Sequence, residues 1–435
     1  MVLSLELYRS RSRYVAAQAT QRISGSLTAP LAPLRLADRP APAPPAPAEW
    51  ARLRPRLSGI CGSDLATLSG KSSRYLSGAV SFPFVPGHEI VADTLDDLDG
   101  FPAGSRVVID PVLSCRPRGL DPCNACFLGQ TSRCDHITVG HLAPGLQTGY
   151  CADTGGGWSR ELIAHRDQLR IVPDTISDEA AVLVEPLACA VHAVRRAAVL
   201  PSQSVLVVGA GTVGLLVLAA LRELTQAGDV TVVAKHRRQR ELAWKLGASE
   251  VVAPDRATTA VRRATRAHLL RPDHSPDALL GGLDQALDCA GSTGALDLAL
   301  RSVRAGGRVT LAAMPAGRTD LAPAWFRELE VVGAYATSRN GKLAPGEADD
   351  FDTAIGMLAG DLGPLVGGLV SAVYPLDCWR EALDHALEAG RLGAFKIAFD
   401  PGAEQRRTGP EAVLEQTADA PASHVPLTAT GRENQ

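Results

Sequence analysis

Between residues 115 and 134 the chain places four of its nine cysteines: Cys115, Cys123, Cys126 and Cys134. Four thiols at that density can form disulfides, a redox pair or a metal site. The opening MVLSLELYRSRSRYV has no sustained apolar core after its charges, so a cytoplasmic setting is expected. Thiols are kept reduced there and nine is an odd number, which puts metal ligation ahead of a disulfide framework. A second set of donors is scattered: GICGSD offers Cys61, PFVPGHE offers His88 and Glu89, and AAVLVEPLACAVH offers Glu185. A thiolate, an imidazole and a carboxylate leave a tetrahedral zinc one open position for water or a substrate oxygen. No close spacing links these residues, and singly each also reads as a buried thiol, a structural histidine or a capping carboxylate.

A third set is GAGTVG, with Gly209, Gly211, Thr212, Val213 and Gly214 directly after the apolar run SVLVV. The first glycine permits a tight turn, the second lets a pyrophosphate approach the backbone, and the third allows close helix packing. Such a motif alone also describes any glycine-rich turn; the strand before it and the helix after it decide for a dinucleotide. About 20 residues beyond the glycines, an NAD site carries Asp or Glu for the ribose hydroxyls. Here the stretch is VVAKHRRQR: Ala234 holds the acidic position, and Lys235, His236, Arg237 and Arg238 follow. A 2′-phosphate meets cations there, so NADP(H) is the expected cofactor and NAD(H) the alternative.

The elements that position these groups change character near residue 193. Before it lie short β-type runs such as RVVID and ELIAHRDQLRIVPD, broken by Gly and Pro. From about 204 apolar runs alternate with helical ones, SVLVVGAG, TVGLLVLAALREL, VTVVAK, RRQRELAWKLG, the order of a parallel doubly wound sheet. RPAPAPPAPAEW, residues 39–50, reads as a stiff connecting loop, and the tail 401–435 as disordered. The chain has 435 residues, 46% hydrophobic and 21% charged, which fits two globular domains. A net charge of −3 supplies no reason to bind nucleic acid or an anionic membrane. The longest apolar runs fall short of the roughly 18 residues that span a bilayer.

The joint order of GICGSD, PGHE, a cysteine knuckle, VEPLACAVH, VLVVGAGTVG, KLGA, DCAGSTGAL and AGGRVTLAAMP resembles the zinc-dependent medium-chain alcohol dehydrogenases, over residues 57 to about 400. The resemblance implies an α/β protein: a GroES-like β-rich catalytic domain, residues 1–192 and 337–400 with a zinc lobe near 115–134, split around a Rossmann domain with a doubly wound parallel sheet, residues 193–336. It makes Cys61 and His88 catalytic zinc ligands, Ser63 the hydroxyl that takes the alcohol proton, and Asp64 the carboxylate that organises the site. Glu185-Pro186 resembles the polyol, glucose and threonine dehydrogenase branches, in which the glutamate binds zinc directly or through water; Glu185 ranks first for that role and Glu89 competes.

The four lobe cysteines are expected on a structural zinc. Cys123, Cys126 and Cys134 keep the family's spacing, whereas seven residues rather than two separate Cys115 from Cys123. RPRGLDP therefore looks like an insertion looping out between two ligands, with His136 or Asp121 as substitutes for Cys115. Where the family often reads Gly-Ser-Asp-Leu-His, this chain has GSDLAT, so Ala66 replaces the proton-relaying histidine and water or another base must complete the path. The implied activity is hydride transfer between a small alcohol or carbonyl compound and a nicotinamide cofactor, by a homodimer or homotetramer. A non-catalytic dinucleotide- and zinc-binding protein on the same fold is the alternative, as is an NAD-dependent polyol dehydrogenase. The cysteine and histidine set argues against a zinc-free quinone reductase.

Overall fold

The computed structural model describes residues 1–24, 31–338 and 348–404. Beyond Glu404 the tail expected to be disordered lies outside the described residues.

Alternation builds the first sheet. In the strand Trp50–Gly59, Arg52, Arg54 and Arg56 face water while Leu53, Pro55 and Leu57 are buried, the period-two pattern of a strand with one covered face. Around it the sheet runs in the order Val370–Tyr374, Lys396–Phe399, Trp50–Gly59, Ile90–Thr94, Arg106–Ile109, Leu169–Ile171, and Leu162–His165 also pairs with Trp50–Gly59. The last strands among the described residues thus close onto a sheet begun near the start of the chain: Ala398 pairs with Gly59 and Phe399 with Ser58.

The second sheet has six strands in the order Glu250–Val252, Val230–Val233, Val205–Val208, Leu283–Asp288, Val303–Leu311, Glu330–Gly333, all paired in parallel. Val205–Val208 and Val230–Val233 are buried at every residue, as parallel strands covered on both faces must be. Chain order reverses between Val205–Val208 and Leu283–Asp288, the switch point beyond whose strand ends doubly wound sheets bind ligands.

Helix Val184–Ala197 joins the two halves, packing on helices Thr212–Leu224 and Asp350–Ala359. One apolar cluster runs from Leu57, Val91 and Val108 through Leu187 and Val191 to Val205, Leu216 and Val232. Glu185 and Pro186 lie in the first turn of that helix, where proline's missing N–H leaves no bond unmade. At the N-terminus, Val2–Leu7 pairs antiparallel with Leu34–Arg39. Helix Arg11–Ser24 lies between them, and its Gln18 Nε2 donates to Gly70 O at 2.9 Å. Among the described residues no helix is long and apolar enough to cross a membrane.

Candidate active site and metal centres

Helix Gly62–Leu68 begins at Cys61, whose extended backbone (φ −85°, ψ 155°) turns the chain into it. Asp64 Oδ2 accepts the Cys61 N–H at 3.0 Å, satisfying one of the helix's open donors. The other oxygen of this buried carboxylate lies 3.5 Å from His88 Nδ1. Burial pushes the His88 imidazole down, but the Asp64 carboxylate outweighs it and holds the group well above its ordinary value. The same negative field favours a metal cation in this place. One donor atom each from Cys61, His88 and Glu89 lie within 4.8 Å of one another. Thiolate, imidazole and carboxylate suit a zinc that keeps one position open.

Glu89, rather than the first-ranked Glu185, completes that set. A side chain at Gly59 would place its Cβ 1.9 Å from Glu89 Oε2, so the bare glycine at the end of Trp50–Gly59 is what admits the carboxylate. Both Glu89 oxygens lie 2.6 Å from Lys396 Nζ. Burial pushes the Lys396 ammonium down, but Glu89 prevails and holds it above its ordinary value. Glu185 is buried nearby, accepts from Cys189 Sγ at 3.3 Å, and is pushed by burial up to about 7. Tyr150 also reaches the site, with its hydroxyl 3.5 Å from Asp64 Oδ1. Lys396 and Tyr150 were missed from sequence. A lone lysine inside the apolar strand KIAF carried a signal, because a buried charge demands a partner; Tyr150 carried none.

At the switch point, Gly209 has φ +102°, and an added Cβ at Gly214 would sit 1.9 Å from Gly209 O. A Cβ at Gly211 would meet nothing within 4 Å, which leaves this backbone open to a ligand at the start of helix Thr212–Leu224, where Val213 also lies. Thr212 Oγ1 is turned to Phe395 O at 3.3 Å. Ala234 is buried just past the end of Val230–Val233, and Lys235 beyond it is exposed. Arg237 bonds Glu241 at 2.7 Å, and Arg238 donates to Gly393 O at 3.1 Å. Arg240, outside the expected set, bonds Lys235 O at 3.0 Å and so lies beside the strand end. Lys235 and Arg240 therefore lie at the strand end, while Arg237 and Arg238 are engaged with Glu241 and Gly393. One C-terminal stretch, Gly393 to Lys396, touches Arg238, the glycine-loop helix and Glu89 in turn.

In the lobe, Cys115, Cys123, Cys126 and Cys134 gather their sulfurs within 4.8 Å. Cys115 is a full member, with Sγ 3.5 Å from Cys134 Sγ and 3.3 Å from His136 Nδ1; Asp121 is not in the set. Hydrogen bonding from Cys134 draws Cys126 down to about 5 and pushes Cys134 itself up, while burial lifts Cys115 to about 11. Four sulfur donors gathered this closely suit a closed structural zinc. The expected outward loop is corrected. Arg118, in the middle of RPRGLDP, is 0% exposed. Its guanidinium donates to the carbonyls of Leu113, Val139, Leu142, Ala143 and Gly145. The lobe has little regular structure to occupy its carbonyls, and arginine's five donors do so instead.

Residues 47–174 match the alcohol dehydrogenase GroES-like domain family and residues 212–359 the zinc-binding dehydrogenase family. Sorbitol dehydrogenase of Arabidopsis thaliana is 30% identical over 289 residues, 65% of this chain and 73% of that one. Among solved structures, 2R,3R-butanediol dehydrogenase from Bacillus subtilis aligns at a TM-score of 0.66 and 20% identity, over 92% of this chain and 100% of that chain. A zinc-binding dehydrogenase structure from Sinorhizobium meliloti 1021 bound to NADP aligns at a TM-score of 0.64 and 21% identity, over 92% and 99%. With a GroES-like half, a zinc-binding dehydrogenase half and relatives that are polyol dehydrogenases, the chain belongs to the zinc-dependent medium-chain alcohol dehydrogenase family, in its polyol dehydrogenase branch, and is an oxidoreductase of the NAD(P)-using type.

Proposed function

We propose that this protein oxidises a small secondary alcohol or polyol, or reduces the matching ketone, with NADP(H) as the preferred cofactor. The observation that carries the reading is the meeting of Cys61, His88 and Glu89 within 4.8 Å, beside Ser63 and Asp64 on one short helix. A zinc held by these three supplies Lewis acidity toward the substrate oxygen, and a nicotinamide supplies the hydride acceptor. Ser63 takes the proton from the alcohol oxygen. Asp64 accepts the Cys61 amide and sets its other oxygen 3.5 Å from the His88 ring, Lys396 balances the Glu89 charge, and Glu185 is a further buried carboxylate bonded to Cys189. Residues 1–192 and 337–400 form the catalytic domain in this reading and 193–336 the cofactor domain. The second, closed zinc belongs to the four lobe cysteines.

Preference for NADP(H) rests on buried Ala234 where a carboxylate would repel phosphate, with Lys235 and Arg240 flanking it. The reading includes a homo-oligomer paired along the outer strand Glu330–Gly333, near Trp325 and Phe326, which are 82% and 66% exposed. It also includes a cytoplasmic setting, in keeping with nine cysteines none of which is in a disulfide. The test is turnover of a panel of alcohols, polyols and ketones with both cofactors. Activity with at least one secondary alcohol is expected, and Ser63→Ala should lower it by about 10² to 10⁴ with zinc retained. A zinc-loaded protein inert toward the whole panel overturns the reading.

A further inference from the structure

Oxidising an alcohol to a ketone sends a hydride to the cofactor and leaves one proton in a site whose surroundings are buried. Position 66, on the outward part of helix Gly62–Leu68, is alanine and carries no proton. Hydroxyls stand beside it. Tyr150 is 7% exposed with its hydroxyl 3.5 Å from Asp64 Oδ1, and burial pushes its phenol up while the nearby Ser63 hydroxyl draws it back. On its other side Thr67 Oγ1 lies at 3.4 Å, and Thr67 Oγ1 is 2.9 Å from Ser72 Oγ. Ser72 is only half-buried. Its place over the helix is fixed by the loop, because the amides of Lys71 and Ser72 both donate to Ala66 O, at 2.8 and 3.2 Å. The helix Arg11–Ser24 holds the same loop from outside through Gln18 and Gly70.

We propose that Ser63, Tyr150, Thr67 and Ser72 form a hydroxyl chain that carries the substrate's proton to solvent. The inference rests on the dehydrogenase reading above. As the substrate O–H bond breaks, Ser63 Oγ gains that proton and gives its own to Tyr150 Oη. Tyr150 gives its proton to Thr67 Oγ1, Thr67 to Ser72 Oγ, and Ser72 to water. Each hydroxyl ends neutral, and the substrate has lost one hydride and one proton. At rest Thr67 donates to Ser63 O at 2.9 Å, so its hydroxyl must rotate toward Ser72 for the transfer. Asp64 Oδ1 is nearly as close to Tyr150, at 3.5 Å. A proton left there would remove the charge that holds the His88 ring, so the onward route through Thr67 keeps the site intact.

The experiment uses full-length, zinc-loaded protein and the alcohol found by the panel. Hydride transfer is followed by nicotinamide absorbance and proton release by a pH dye, for wild type, Tyr150→Phe, Thr67→Val, Thr67→Ser and Tyr150→Phe with Ala66→His. Zinc content, NADPH affinity and melting temperature are measured on each. Tyr150→Phe and Thr67→Val are expected to slow proton release by about 10²-fold, the low end for proton-transfer assistance, while zinc and NADPH binding stay as in wild type. Thr67→Ser, which keeps the hydroxyl, should keep the rate, and Ala66→His should restore most of what Tyr150→Phe loses. Wild-type proton release in Tyr150→Phe and Thr67→Val overturns the proposal, as does a loss that Ala66→His does not repair. If Tyr150→Phe fails to fold, the Thr67→Val and Thr67→Ser pair decides alone. A wild type without turnover on any alcohol removes the dehydrogenase reading itself, a separate result from an active enzyme indifferent to Tyr150 and Thr67.

Discussion

The two candidate metal centres lie in the same half of the molecule and are built in opposite ways. The lobe draws four sulfurs from twenty consecutive residues and has its backbone held from within by Arg118, a cation bonded only to carbonyls. The other centre draws one sulfur, one nitrogen and one carboxylate from two separated segments, and its support is ionic: Asp64 behind His88, and Lys396 on Glu89. Four donors close a zinc site, whereas three leave a position for chemistry. The difference teaches where each centre keeps its stability. The lobe is a local fold that a metal completes, and the open centre is a meeting of elements that ion pairs hold together without the metal.

Removing one lobe thiol should have the largest effect. Because structural zinc binding is coupled to local folding, Cys126→Ser is expected to drop zinc from two ions per chain to one and to lower unfolding stability by several kcal/mol. Cys61→Ser should also lose one zinc, and all turnover, yet melt close to wild type. Elemental analysis with thermal melts reads both, and equal melting losses in the two variants would erase the distinction.

Lys396→Met comes next. Breaking a buried ion pair by removing one partner costs about 3–5 kcal/mol, and Glu89 and Lys396 are almost wholly buried. A zinc at Cys61, His88 and Glu89 would restore a positive neighbour, so denaturant titration should show a smaller loss in zinc-loaded than in chelator-treated protein. The same loss in both states would separate Glu89 from the metal.

Arg118→Met tests the lobe's inner post. Each buried acceptor left without a partner costs about 1–3 kcal/mol, and water reaching part of the lobe should hold the total to about 3 kcal/mol. Zinc should leave the lobe faster under a chelator while the open centre exchanges at its wild-type rate. A lobe that holds zinc as tightly without Arg118 shows that the thiols alone suffice.

The smallest effect is expected at the cofactor end. Wild type should prefer NADPH by about tenfold, near 1.4 kcal/mol, and Ala234→Asp should shift binding toward NADH while both metal centres keep their zinc. Fluorescence titration with the two reduced cofactors measures this, and equal wild-type affinities would remove the role given to Lys235 and Arg240.

What the sequence alone determined is what short spacing determines. The glycine loop is legible because Gly209 and Gly214 answer backbone requirements within one turn of chain: a positive φ and a contact with no room for a Cβ. Cys123, Cys126 and Cys134 are legible because a short turn brings their sulfurs together wherever the lobe is placed. The alternation in Trp50–Gly59 and the buried runs of the second sheet likewise follow from periodicity. Only the tertiary structure put a Glu89 oxygen within 4.8 Å of donor atoms on Cys61 and His88, since sequence spacing fixes no distance between separate segments. It brought Lys396 to Glu89 by pairing Ala398 with Gly59, a contact set by sheet closure across 307 residues. It turned Arg118 inward, because unpaired carbonyls gather there only after the loop 139–145 has folded back. It also set Tyr150 beside Thr67, 83 residues away. Local geometry is written in neighbouring residues, whereas a partner for a buried charge or hydroxyl exists only once distant strands have closed over it.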